Sequence, residues 1–146
     1  MIKVRLAHPD DAAAIERLIA LYVADGTLLP RTAAFIAERH EDFLVAVEDR
    51  RVVGCVHLDE YAPSLAEIRS LAVAPSAQGR GVGTALVREA ERLSRKRGHA
   101  TIFAVSNDEA YFGKLGYLRR EIRELDRERS EVSRYKGVYA KDVPLP

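Results

Sequence analysis

A mixed α/β fold is what this sequence predicts, with about six to seven strands in one central, mostly antiparallel twisted sheet and about four flanking helices. Three observations point there. Apolar patterns of period 2 and period 3.6 alternate along the chain. The runs FLVAV, VVGCVHL and LAEIRSLAV follow one another with no helical pattern between them, which favours hairpins over an all-parallel sheet. A glycine-rich turn then leads into an amphipathic helix. At 146 residues the chain is long enough to bury a core without metal or disulfide staples, and is read as a single domain, 1–146.

The elements justify themselves in order. IKVRL alternates apolar and charged residues as a half-buried strand does, and Pro9, Asp10 and Asp11 supply a helix start. Ile15, Leu18, Ile19 and Tyr22 recur at i, i+3, i+4 and i+7, so the first helix buries one face. Gly26 and Pro30 break that pattern, leaving DGTLLPRT as a loop with two exposed leucines, and a short helix follows around Ala33 to Glu38. FLVAV and VVGCVHL, separated by EDRR, form a hairpin, and LAEIRSLAV after Pro63 is the third strand of that group. Leu86, Val87, Ala90 and Leu93 mark the buried stripe of the next helix, which Gly98 ends. TIFAV is a further strand. Asn107 then caps a short helix that carries acids in its first turn and ends near Gly116. RREIRELDRERSEVSR reads as a solvated surface or a long hairpin arm, and RYKGVYAKDV as a last strand.

Charge and composition narrow the function. With 23 basic and 22 acidic residues the net charge is +1, and the basic residues are interspersed with acids, which argues against a nucleic-acid partner. No apolar run is long enough to cross a bilayer and the N-terminus lacks a signal-peptide core, so no membrane partner and a cytoplasmic location are expected. Cys55 is the single cysteine, set in an apolar run, and is expected to be a buried core thiol. His8, His40, His57 and His99 show no metal-ligand spacing, so no metal is expected.

The segment SAQGRGVGTALV places Gly79, Gly81 and Gly83 at alternate positions before a helix. Glycine admits positive φ and close approach of a ligand, and a helix N-terminus presents unpaired N–H groups with partial positive charge. Together these make an anion site, with phosphates the usual anions. A tight strand-to-helix turn alone would need one glycine. The dinucleotide fingerprint GxGxxG fails because Thr84 occupies its last position, and the P-loop fails because no Lys precedes the hydroxyl residue.

Gln78, Gly81 and Gly83 do fit QxxGxG after a strand ending in LAV. The stretch EIRSLAVAPSAQGRGVGTALV thereby resembles the acetyl-CoA-binding motif of GNAT-family N-acetyltransferases, and NDEAYFGKLGY is similar to the family's C-terminal FYxKxGF segment. The resemblance implies acetyl-CoA as donor. It places Gln78, Gly79, Arg80, Gly81, Val82, Gly83 and Thr84 around the pyrophosphate, Leu71, Ala72 and Val73 along the pantetheine and thioester, Asn107 on the CoA arm, and Phe112 and Lys114 near the cofactor. It also implies a homodimer built on exposed sheet edges.

Acetyl transfer to an amine needs a base, because aliphatic amines are protonated near neutral pH. Glu67 is the candidate, with an edge-strand carboxylate or an ion pair with Arg69 as the alternative for that residue. A main-chain N–H at Val73 would serve the oxyanion, as the resemblance implies. The family's usual tyrosine acid is replaced by Phe112, leaving its neighbour Tyr111, which points about a hundred degrees away on the helix, or unaided departure of the thiolate.

TLLPRT, with EIRSLAV and the KLGY ending, is similar to single-domain amino-acid N-acetyltransferases of the N-acetylglutamate synthase type. That likeness implies a small-molecule amine acceptor, glutamate first, with Leu29, Arg31 and Arg69 at the acceptor and a guanidinium on its carboxylate. The alternatives are another small amine, a protein N-terminus, or a non-catalytic acetyl-CoA sensor.

Overall fold

Strand β1 (Lys3–Leu6), helices α1 (Ala12–Ala20) and α2 (Ala33–Glu38), strands β2 (Phe43–Glu48), β3 (Arg51–Ala62) and β4 (Leu65–Val73), helix α3 (Val82–Lys96), strand β5 (Thr101–Ser106), helix α4 (Glu109–Lys114), and strands β6 (Leu118–Arg119) and β7 (Gly137–Asp142) follow one another in the computed structural model, which describes residues 1–125 and 136–144. The strands are hydrogen-bonded in the order β1-β2-β3-β4-β5-β7-β6. The pairs β1–β2, β2–β3, β5–β7 and β6–β7 are antiparallel and β4–β5 is parallel, so the sheet is mixed as the hairpin-rich sequence requires. Most of the charged run after Tyr117 lies outside the described residues. Of the predicted last strand, Gly137–Asp142 is β7, while Arg134 and Tyr135 lie outside them too.

By its contacts the chain divides into two compact units. The first comprises residues 1–58 and 69–90. Its core is Ile15, Leu18 and Ile19 of α1, Ile36 of α2, Phe43 and Val45 of β2, Cys55 of β3 and Ala72 of β4. The β2–β3 hairpin turns through Asp49 and Arg50, both at positive φ (49° and 64°), the backbone of a two-residue type I′ turn made without glycine. Gly54 on β3 is needed for space: a Cβ there would lie 2.9 Å from Leu86 Cδ1 and 3.0 Å from Val82 Cγ1, so its absence lets α3 close on the strand. Two sequence expectations change in this unit. α1 stops at Ala20, so Tyr22 falls in the turn beyond the helix; and Leu28 is half-buried against the core while only Leu29, 61 % exposed, stands out as predicted.

The second unit comprises residues 59–68 and 91–146. Leu65, Phe103, Ile122, Val138 and Ala140 form its core, with Tyr61 edge-on to Phe103. The end of α3 shows why Gly98 was legible. Gly98 has φ 83°, its N–H donates to Arg95 O and the His99 N–H to Ser94 O, the two bonds of a Schellman cap. Tyr117 is buried, and its hydroxyl donates to Glu91 Oε2 at 2.8 Å while Lys141 Nζ lies 3.4 Å from Glu91 Oε1, which ties the KLGY segment and β7 to the helix. The cap of α4 differs from expectation. Asp108, not Asn107, is the N-cap, its Oδ1 accepting from the Tyr111 N–H at 3.0 Å, and Asp108 is itself placed by its N–H donating to Ser106 Oγ.

Candidate active site

Strand β4 carries the residues on which the reaction was placed, and its backbone is irregular. Ser70 adopts φ 51°, the left-handed region that non-glycine residues rarely occupy, within a strand whose ladder with β5 pairs Leu65 with Thr101, Ala66 with Ile102 and Glu67 with Phe103. Such an interruption re-aims the residues that follow it. Beyond it come half-buried Leu71, buried Ala72 and half-buried Val73. The Cys55 thiol donates to Ser70 O at 3.3 Å, and burial pushes it up to about 12, so it is a neutral core thiol at any working pH, as its apolar run predicted.

After Val73 the chain makes a short 3₁₀ turn, Pro75–Ala77, and enters the glycine loop. Gly79 and Gly81 have φ 75° and 78°, and a Cβ on either would meet nothing within 4 Å. Conformation, not crowding, demands glycine there. Gly83 is different: it lies within the first turn of α3, on helical backbone. The first helical bond runs from the Ala85 N–H to Gly81 O, so the N–H groups of Val82, Gly83 and Thr84 belong to the end that precedes all intrahelical acceptors. An exposed loop of two left-handed glycines leading into a 15-residue helix fits a pyrophosphate on its main-chain donors.

The side chains of this loop are occupied elsewhere. Arg80 is in a fork with Glu48, Nη1 to Oε1 at 3.0 Å and Nη2 to Oε2 at 2.5 Å, and this pairing holds the Glu48 carboxyl below its ordinary range. Gln78 Nε2 donates to the Tyr22 hydroxyl at 2.7 Å and lies 3.4 Å from Val73 O, and the Tyr22 hydroxyl donates to Val73 O. Sequence reasoning missed Tyr22, because its i+7 spacing read as one more buried position of α1; the hydroxyl on an otherwise aliphatic stripe was the available signal.

Within the same unit, Arg31 is half-buried. Its Nη1 donates to Pro30 O at 2.9 Å and its guanidinium lies 5.5 Å from the Phe35 ring centroid, with Arg39 over the same ring at 4.0 Å. Phe35 also meets His57 edge-on, and His57, 2 % exposed, stacks on Phe43 at 4.4 Å. Arg69 is half-buried on β4, and Leu29 is exposed.

In the second unit Glu67 is 1 % exposed on β4, which has neighbours on both sides, so the edge-strand reading of this carboxylate does not hold. Asn107 and Lys114 are exposed. Phe112 is buried, stacked parallel on Tyr139 at 6.3 Å and edge-on to Tyr117 at 5.5 Å, which places it in the packing of this unit. Half-buried Tyr111 meets it edge-on at 5.3 Å. Among the described residues no cluster of His, Cys, Asp or Glu is arranged to hold a metal, and no helix is long and apolar enough to cross a membrane.

Residues 12–117 match the acetyltransferase (GNAT) family. The chain belongs to that family. This GNAT domain is 36 % identical over 118 residues to an uncharacterized N-acetyltransferase of Chlorobaculum tepidum, covering 81 % of this chain and 76 % of that protein. It is 32 % identical to an amino-acid acetyltransferase of Ralstonia nicotianae over 88 % of this chain but only 29 % of the relative. Among solved structures it is similar to N-acetylglutamate synthase from Neisseria gonorrhoeae complexed with coenzyme A and N-acetyl-glutamate, with TM-score 0.87 and 26 % identity over 99 % of this chain and 35 % of that one. The GNAT domain therefore spans about a third of the length of that synthase and less of the Ralstonia relative. It is a mixed α/β acyltransferase domain of the acetyl-CoA-dependent type, related to amino-acid acetyltransferases.

Proposed function

We propose that this domain transfers the acetyl group of acetyl-CoA to the α-amine of glutamate or a closely related acidic amino acid, by direct attack in a ternary complex. The observation that carries the acceptor is Arg31. Its guanidinium is half-buried, donates to the Pro30 carbonyl and lies against the Phe35 ring, in an LLPR segment that resembles that of amino-acid acetyltransferases, and it is the planar group suited to a carboxylate. Arg69 offers a second cation on β4, and Leu29 an apolar contact.

Acetyl-CoA supplies the thioester. The main-chain donors of Gln78–Thr84 hold its pyrophosphate, and Leu71–Val73 its pantetheine arm. Glu67, directly or through a water, takes the proton that frees the amine lone pair for attack on the thioester carbonyl. The Val73 N–H stabilises the negative charge that builds on the carbonyl oxygen. As the C–N bond forms and the C–S bond breaks, the thiolate leaves and takes a proton from Tyr111 or from solvent, and N-acetyl amino acid and CoA are the products. Asn107 and Lys114 bind the CoA arm from α4, and Phe112 supports them from within its packing. Cys55 forms no acetyl-enzyme, because a buried thiol near 12 offers no nucleophilic thiolate.

A thiol-release assay against a panel of amines tests the proposal. CoA release with L-glutamate or L-aspartate supports it. Release only with a polyamine, an aminoglycoside or a peptide N-terminus overturns the acceptor. Acetyl-CoA binding by calorimetry with no turnover on any amine, and no effect of Glu67→Gln, would make the domain a sensor.

A further inference from the structure

Tyr22 joins two parts of the first unit. Through its main chain it holds the loop that carries Leu29 and Arg31: Tyr22 O accepts from the N–H groups of Thr27, at 3.1 Å, and Leu28, at 3.0 Å. Through its hydroxyl it reaches the end of β4, donating to Val73 O and accepting from Gln78 Nε2. A phenolic hydroxyl has one proton to donate and lone pairs to accept with, so both bonds are satisfied at once: the Val73 carbonyl can only accept and the Gln78 amide N–H can only donate. On the other side of the same peptide unit, the Ala74 N–H donates to Val53 O on β3 at 2.8 Å. The Val73–Ala74 peptide is thus clamped from both faces. In an extended residue the N–H and C=O point to the same edge of the strand, so Val73 presents its N–H on the edge where Tyr22 grips its carbonyl.

We propose that Tyr22 is a positioning residue for the donor: by fixing the Val73 carbonyl it sets the direction of the neighbouring strand-end donors and registers them against the glycine loop through Gln78. This rests on the assignment of Leu71–Val73 to the pantetheine and thioester. Without the hydroxyl, Val73 O keeps the long contact with Gln78 at 3.4 Å but loses its short Tyr22 donor, and Gln78 loses its 2.7 Å acceptor, so the tie between strand end and glycine loop is weakened. Tyr22 itself performs no proton transfer in this arrangement. Its effect falls on donor affinity and not on the pH profile.

Tyr22→Phe removes one oxygen and keeps the ring. Calorimetric titration with acetyl-CoA, which needs no acceptor and stays readable if L-glutamate proves inactive, is expected to show a Kd raised about tenfold, with the amine KM changed less than about twofold in the steady state. Gln78→Leu, which spares the Tyr22–Val73 bond, is expected to give a smaller rise, and the double variant less than the product of the two. Wild-type acetyl-CoA affinity in Tyr22→Phe, even with a lowered Tm, would overturn the proposal and leave Tyr22 a packing residue. Should Tyr22→Phe fail to fold, independent effects of Gln78→Leu and of Val73→Ala on acetyl-CoA affinity would overturn it as well. Failure of wild-type protein to bind acetyl-CoA would instead remove the donor assignment on which it rests.

Discussion

The glycine loop and the LLPR loop belong to the same unit, and under the proposed function they hold their ligands by different means. In Gln78–Thr84 the binding is assigned to the main chain: Gly79 and Gly81 supply left-handed backbone, the helix start supplies N–H groups, and the side chains of Gln78 and Arg80 turn to Val73, Tyr22 and Glu48. In Thr27–Thr32 side chains face the task, with Arg31 leaning on Phe35. A site made of backbone tolerates side-chain change and fails on conformational change; one made of side chains does the reverse. This contrast explains why a motif with two obligatory glycines identifies the donor while the acceptor rests on one arginine.

The largest expected effect lies on the side-chain half of the reaction. Glu67→Gln keeps shape and removes the proposed base, so kcat should fall about 10²- to 10³-fold while calorimetric acetyl-CoA affinity stays within about twofold. A kcat within a few-fold of wild type would move the base elsewhere. Next comes the backbone half. Gly81→Val places a β-branched residue at φ 78°, a conformation it strongly disfavours, and should weaken acetyl-CoA binding about tenfold or more and lower the Tm by a few degrees through backbone strain alone, since a Cβ there meets no neighbour. A Gly83→Ala variant is the control, because Gly83 sits on helical backbone and alanine favours a helix. Equal damage from both would mean that space, not φ, is what the motif protects.

Legibility in the sequence followed the same division. Features imposed by backbone chemistry were readable: the glycine loop, the Gly98 cap, the buried stripe of α3 at Leu86, Val87 and Ala90, and the short α2 at Ala33–Glu38. Features decided by tertiary competition were not. Tyr22 kept the helical spacing but left the helix, because α1 ends at Ala20 and the following turn turns its hydroxyl to Val73. Asn107 and Asp108 are both good caps, and Ser106 decided between them by accepting the Asp108 N–H. Leu28 looked like its exposed neighbour Leu29 until the turn at Gly26 folded it onto the core. The burial of Glu67 could not be read from alternation, because β4 runs inside the sheet.

Arg31→Lys tests the acceptor loop at smaller scale. A lysine keeps the charge and loses the planar fork and the stacking on Phe35, so the KM for glutamate should rise about tenfold with acetyl-CoA affinity unchanged. An unchanged KM for glutamate would show that Arg31 does not read the carboxylate and would pass that role to Arg69.

The smallest expected effect is the sharpest test of the contrast, because it concerns a charged side chain inside the backbone-made loop. Arg80 lies beside the proposed pyrophosphate donors, yet its guanidinium is engaged by Glu48. If the main chain carries the binding, Arg80→Ala should weaken acetyl-CoA by no more than about twofold, as expected for an exposed, salt-screened pair. Glu48→Gln should act oppositely: it frees the guanidinium to face the anion and tightens binding by a similar factor, the gain fading at high salt. The pair also has a pH signature. Glu48 ionises below its ordinary 4.5 in the folded chain because Arg80 bonds to it, so the small stabilisation from the pair is present above the ordinary carboxylate range and is lost as pH falls through the lowered value. Acetyl-CoA affinity of wild type measured from pH 7 down to that range should therefore rise relative to Glu48→Gln as protonation releases Arg80. A tenfold loss in Arg80→Ala at neutral pH would show that the guanidinium leaves Glu48 for the phosphates on binding, and that the glycine loop is a side-chain site after all.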